Sequence, residues 1–127
     1  MEWHFDDNMP IYTQLVYQIK FAIVSGELSP GEKMAGVRDL AADAGVNPNT
    51  MQRALQQLER EGLVFTQRSS GRFITEDTAV IGEAKHTLAR QHIEQFMASM
   101  KKLGYTREEI IALLEGGEEE DKNGSML

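Results

Sequence analysis

Residues 44–62 read AGVNPNTMQRALQQLEREG. Met51, Ala54, Leu55 and Leu58 fall at i, i+3, i+4 and i+7, the spacing of one apolar stripe on an α-helix. The opposite face carries Asn49, Gln52, Arg53, Gln56 and Gln57. Asn47 is a candidate N-cap and Pro48 suits the first helical position. Gly62 closes the helix. Immediately upstream the pattern predicts a short helix from Val37 to Ala44, with Val37, Leu40, Ala41 and Ala44 facing inward. Gly45 ends that helix, because the sharp turn there needs a positive φ that glycine adopts without steric cost. Val46 is expected in the core between the two helices, and small Ala41 lets them approach closely. Two helices crossing steeply through a short glycine turn make a helix–turn–helix.

Working outward, Leu63–Gln67 and Arg72–Thr75 are two short strand candidates joined by Arg68-Ser69-Ser70-Gly71. A helix–turn–helix followed by a hairpin is a winged helix–turn–helix. Towards the N-terminus, Pro10 is expected in the first turn of a helix whose stripe is Ile11, Leu15, Ile19, Ala22 and Ile23. Asp6, Asp7 and Asn8 are its cap candidates, and Gly26 stops it. Past the hairpin, a long helix is expected over 79–103, ended by Gly104. Thr106 and Glu109 form a capping box for a last helix over 107–115, which Gly116-Gly117 stops. The fold class is therefore mainly α with one small β-hairpin. Residues 1–77 form the winged helix, 78–115 a two-helix region, and 116–127 a disordered acidic tail.

The 127 residues carry 41% hydrophobic side chains, enough for one core, and no cysteine. That excludes disulfides, a thiolate nucleophile and a thiolate zinc site, and suits a reducing cytoplasm. No apolar run approaches the ~20 residues of a membrane span, and the acidic start MEWHFDDNMP is not a signal peptide. Net charge is −7, which alone argues against nucleic acid. The excess is uneven: residues 1–75 hold 7 basic against 9 acidic side chains, and residues 76–127 hold 6 against 11. A nearly neutral first segment has room for a local basic patch.

The amide-rich helix face suits the major groove, where Asn and Gln pair with adenine and Arg with guanine. The first turn of such a helix lies nearest the bases, and here it offers Asn47, Asn49, Thr50, Gln52 and Arg53. Asn47 and Thr50 also suit phosphate. Arg38 lies near the start of the preceding helix, and Arg68 and Arg72 flank the hairpin loop that ends in Gly71, where a wing reaches phosphate or the minor groove. Taken alone, a Gln/Arg-rich face is equally ordinary solvated surface; the turn before it and the hairpin after it favour DNA. No catalytic constellation emerges. His86 and His92 are six apart, not on one helix face, and His4 is remote, so no metal or cofactor is expected. Ser69-Ser70 has no base spaced to activate it.

The run LSPGEKMAGVRDLAADAGVNPNTMQRALQQLEREGLVFTQRSSGRFI resembles the GntR family of bacterial transcription regulators, with the likeness running from Pro10 to about Thr75. Its carriers are Pro30-Gly31, Val37-Arg38-Asp39-Leu40-Ala41, Gly45-Val46-Asn47, Thr50, Leu58 to Leu63, and Gly71 with Phe73. The short two-helix remainder resembles the YtrA-type subfamily. The resemblance implies a homodimeric repressor, held by its C-terminal helices, that binds double-stranded DNA at an operator with two similar half-sites. Transporter genes are frequent targets of that subfamily. Two departures stand out. Met34-Ala35-Gly36 replaces the usual Leu-Pro-Ser, which removes a hydroxyl cap, and Arg68-Ser69-Ser70-Gly71 replaces Arg-Gly-Lys-Gly, which makes the wing less basic.

The dimer interface is expected on Ile81, Leu88, Ile93, Phe96, Met97, Met100, Leu103, Ile110 and Leu114, whose apolar faces are too exposed for a monomer. The ~50 residues after the wing are too few to enclose a typical ligand pocket. A small-molecule effector, whose identity is open, is thus expected at the subunit junction or between domains. The alternative is a winged helix whose acidic surface binds another protein and never DNA.

Overall fold

The structure, a computed structural model, describes the backbone of residues 1–123 and the side chains of residues 1–116. The elements in order are α1 (Ile11–Val24), α2 (Val37–Ala44), α3 (Pro48–Arg60), β1 (Val64–Gln67), β2 (Gly71–Ile74), α4 (Thr78–Lys102) and α5 (Arg107–Asn123). They divide into two units, residues 1–88 and the residues from 89 onward, with α4 running through the boundary.

In the first unit the stripes meet as their spacing requires. Leu15, Ile19 and Ile23 of α1, Ala41 of α2, and Met51, Ala54, Leu55 and Leu58 of α3 share one buried core with Leu63, Val64 and Ile74 of the hairpin. Each large aliphatic side chain taken out of water there contributes about 1.5–3 kcal/mol. Val46 packs against this core, as do Val80, Ile81 and Ala84 of α4. Gly45 has φ 72°, and the Val46 N–H donates to the Ala41 carbonyl at 2.9 Å, which closes α2 and aims α3 across it.

β1 and β2 pair antiparallel, with Val64 opposite Ile74 and Gln67 opposite Gly71. A third segment joins them. Lys33 bridges to Phe73, and the Met34 N–H donates to the Arg72 carbonyl at 2.9 Å. The wing is therefore stitched to the chain just before α2.

Three expectations need correction. Pro10 does not lie in the first turn of α1; it is the N-cap residue, with ψ 137°, and no side chain caps it. The extended ψ keeps Pro10 outside the helix. The run before it is organised instead by buried Gln14, whose Nε2 donates to the Asp6 and Met9 carbonyls at 2.8 and 2.9 Å. Its Oε1 accepts the Asp6 N–H at 2.7 Å. Secondly, the start MEWHFDDNMP, read from sequence only as acidic, also contributes to the fold. Trp3 and Phe5 pack against the core, and Trp3 Nε1 donates to Asp43 of α2 at 2.8 Å. Thirdly, α5 continues through Gly116-Gly117 to Asn123, so residues 116–123 of the expected disordered tail are helical. A glycine stops a helix when it turns left-handed, and Gly116 does not. Residues 124–127 of that tail lie outside the described residues.

In the second unit the capping box forms. The Thr106 N–H donates to Glu109 Oε1 at 2.8 Å, and the Glu109 N–H donates to Thr106 Oγ1 at 3.2 Å. Ile110 is buried there.

Candidate nucleic-acid interface

The first turn of α3 is built by its own cap. Asn47 Oδ1 accepts the Asn49 N–H at 2.7 Å, and the Asn47 carbonyl accepts the Thr50 N–H at 3.0 Å. Pro48 takes the first helical position. Asn47, Asn49, Arg53 and Arg38 are exposed, while Thr50 and Gln52 are half-buried. Gly36 at the N-cap of α2 provides no side-chain hydrogen bond, as the missing hydroxyl implies.

Two arginines have partners that spacing alone does not reveal. The Arg53 guanidinium lies 4.5 Å from the centroid of the Tyr12 ring of α1, a cation–π distance. The Tyr12 hydroxyl donates in turn to Gln57 Oε1 at 3.4 Å. Arg72 Nε donates to Glu59 Oε1 at 2.8 Å, so this wing residue is paired within the chain.

Arg68 makes no hydrogen bond or ion pair among the described residues. It sits on a turn where Ser69 has φ 69° and Gly71 has φ 113°. One basic residue was missed by sequence reasoning. Lys33 lies along the wing: a Cβ added at Gly71 would stand 3.2 Å from Lys33 Cε, so that position has little room for a side chain. Lys33, Gly36, Gln52, Ser70, Gly71 and Arg72 line one cleft of about 440 Å³ between wing and helices. The bridge from Lys33 to Phe73 spans forty residues, and no local pattern announces it.

These pairings bear on the acidic net charge. Glu59 and Glu61 lie at the C-terminal end of α3, where they would repel phosphate. Arg72 neutralises the first, and Lys20 Nζ lies 2.6 Å from the second. Partial burial pushes the Glu61 carboxyl up, but hydrogen bonds from Lys20 and Gln57, with the charges of Lys20 and Arg60, outweigh it and hold it below the usual carboxylate range. Lys33, Arg38, Arg53 and Arg68 carry no ion pair among the described residues and supply the positive charge of the site.

Of the nine residues expected at a dimer interface, Ile81 packs on the winged-helix core, and Leu88 and Ile110 are buried within the chain. Ile93, Phe96, Leu103 and Leu114 are 58%, 43%, 73% and 57% exposed, and Met97 and Met100 are half-buried. No helix among the described residues is long and apolar enough to cross a membrane.

A helix–turn–helix with a capped, polar third helix and a basic wing defines the winged-helix class of DNA-binding transcription regulators. The sequence profile "Bacterial regulatory proteins, gntR family" matches residues 11–74, and the chain belongs to that family. It is 42% identical over 111 residues to the HTH-type transcriptional regulator YhcF of Bacillus subtilis, covering 87% of this chain and 92% of that one. It is 34% identical over 122 residues to the HTH-type transcriptional repressor YtrA of the same organism, covering 90% and 94%. A GntR family transcriptional regulator from Listeria monocytogenes superposes with TM-score 0.81 at 41% identity, over 88% of this chain and 98% of that one. The DNA-binding domain of AraR, solved with operator ORX1, matches 59% of this chain and 92% of its own with TM-score 0.51 at 25% identity. The relatives are named as regulators and not as enzymes, and this chain is a GntR-family transcriptional regulator with a DNA-binding domain.

Proposed function

We propose that the chain is a homodimeric repressor that binds an operator of two similar half-sites and controls transporter genes in the cytoplasm. Asn49, Thr50, Gln52 and Arg53 of α3 face the major groove, with Arg38 beside them. Asn47 secures the first turn, and Arg68 and Gly71 of the wing, with Lys33, meet the phosphates. Arg72 serves the site by holding the wing to α3. The observation that carries this reading is the self-capped first turn of α3, flanked by Lys33, Arg38, Arg53 and Arg68, which no carboxylate neutralises among the described residues. AraR, whose DNA-binding domain was solved on its operator, and YtrA, which is named a repressor, support it by likeness.

Dimerisation rests on a separate observation. Ile93, Phe96, Leu103 and Leu114 leave large apolar side chains uncovered in one chain, and a second copy of the same face covers them symmetrically. The test is a gel-shift titration of the region upstream of the chain's own operon at several salt concentrations. Tight binding that weakens steeply with salt supports the reading, because phosphate contacts release counterions. Binding that is absent, or unchanged by salt, overturns it in favour of a protein-interaction module.

A further inference from the structure

Within residues 1–88 a cleft of about 400 Å³ opens between the N-terminal segment, α1, α2 and the loop after α1. That volume falls in the range of small-ligand sites. Trp3, Leu28, Met34 and Leu40 give it apolar walls. The Trp3 ring is held in place twice: its Nε1 donates to Asp43 at 2.8 Å, and it stacks on Phe5 with centroids 6.1 Å apart and an interplanar angle of 9°.

Three carboxylates outnumber the two cations, Lys33 and the N-terminal amine of Met1, in the lining of the cleft. Glu32, Asp39 and Asp43 line it. Glu32 accepts the Ser29 N–H at 2.8 Å and Asp43 accepts the indole, but Asp39 has no hydrogen bond or ion pair among the described residues. Each of the two cations also has a neighbour outside the cleft. The N-terminal amine lies 3.9 Å from Glu27, and Lys33 Cε lies against Gly71 of the wing.

We propose that this cleft binds an organic cation with an apolar body. The Trp3 face and the Asp39 carboxylate take the charge, as aromatic rings and carboxylates do for ammonium and phosphonium groups. Leu28, Met34 and Leu40 take the body. An aromatic wall already fixed by Asp43 and Phe5 need not be ordered on binding. The site lies within the winged-helix unit, not at the subunit junction or between domains, where an effector was expected. Asp39 adjoins Arg38 on α2, so an occupant acts on the helix that carries one proposed DNA contact. Ligand binding itself is independent of the DNA reading and is measured without DNA.

Trp3 is the only tryptophan of the chain, so its emission reports on the cleft directly. The full chain is titrated with benzyltriethylammonium and tetraphenylphosphonium, and with tetraphenylborate as an anion of similar shape. The expected result is a saturable change in Trp3 emission with at least one cation and none with the anion. Asp39→Asn leaves the Trp3–Asp43 bond intact and weakens binding by about tenfold, or about 1.4 kcal/mol. Glu94→Gln, in the other unit, leaves it unchanged. No saturable change with either cation, equal binding of tetraphenylborate, or an Asp39→Asn variant that binds like the parent overturns the proposal.

Discussion

Arg72 Nε donates to Glu59 Oε1 across 2.8 Å, joining the second strand of the wing to the end of α3. Both side chains are largely covered, at 18% and 28% exposure, so the pair works in a medium less polar than water. It fixes the angle between the two parts of the fold proposed to touch DNA. Glu59→Ala and Arg72→Ala are each expected to lower the stability of the fold by about 1–3 kcal/mol, the cost of losing a charge-assisted hydrogen bond, and to weaken operator binding by a smaller amount through the freed wing. The decisive variant is the exchange, Glu59→Arg with Arg72→Glu. If the pair only positions the wing, the exchange restores much of the affinity in a gel shift. If Arg72 itself meets phosphate, the exchanged protein binds no better than Arg72→Ala.

Arg53 is held over Tyr12, 4.5 Å from the ring centroid, by contacts within the chain. An arginine already oriented loses less side-chain entropy when it pairs with a guanine. Arg53→Ala is expected to cost about 1–3 kcal/mol of specific binding, and Arg38→Ala the same if it reads a base. Tyr12→Leu removes the stack, worth about 0.5–1 kcal/mol, and the long hydroxyl hydrogen bond to Gln57, and is expected to weaken specific binding less than Arg53→Ala. Competition against scrambled DNA separates the two effects. An Arg53→Ala protein with unchanged affinity removes that residue from the interface.

What the sequence announces is local, and what it hides spans distance. Met51, Ala54, Leu55 and Leu58 are all fully buried because a 3.6-residue period decides them within one helix. Gly45, Asn47 and Pro48 mark the turn because backbone conformation and capping act within a few residues. By contrast, Trp3 meets Asp43, Lys33 meets Phe73 and Glu59 meets Arg72 only after the chain has folded back on itself. No periodicity links these pairs. The first turn of α3 was therefore legible as a candidate site, whereas Lys33 and the bond that occupies Arg72 were not. The end of α5 escaped for a different reason: Gly116-Gly117 reads as a stop only when glycine turns left-handed.

Phe96 and Ile93 leave 43% and 58% of their surface uncovered within one chain. If a second copy covers them, a charge placed there must be buried in the dimer without a partner, which costs several kcal/mol. Phe96→Glu is therefore expected to sediment as a monomer and to lose most operator affinity, because two half-sites are then no longer held by one particle. Its helical circular dichroism is expected to stay close to that of the parent, since the residue lies outside the winged-helix core. A dimer that survives Phe96→Glu would place the subunit interface elsewhere.

Glu61 gives the fold a defined response to acid. Its carboxyl is held below the ordinary value of 4.5: partial burial raises it, but Lys20, Gln57 and Arg60 together lower it by more. A carboxylate with a depressed pKa stabilises the folded state above its unfolded value, and that contribution fades as pH falls through the folded value. Glu61→Gln lacks the charge and cannot titrate. The parent is accordingly expected to be more resistant to urea than Glu61→Gln at neutral pH, with the gap closing below pH 4.5 as Glu61 is protonated in the folded chain. All other carboxylates are common to both proteins and cancel in the difference. A gap that stays constant as pH falls past that range would show that the Lys20–Glu61 contact, 2.6 Å long, contributes through packing and not through charge.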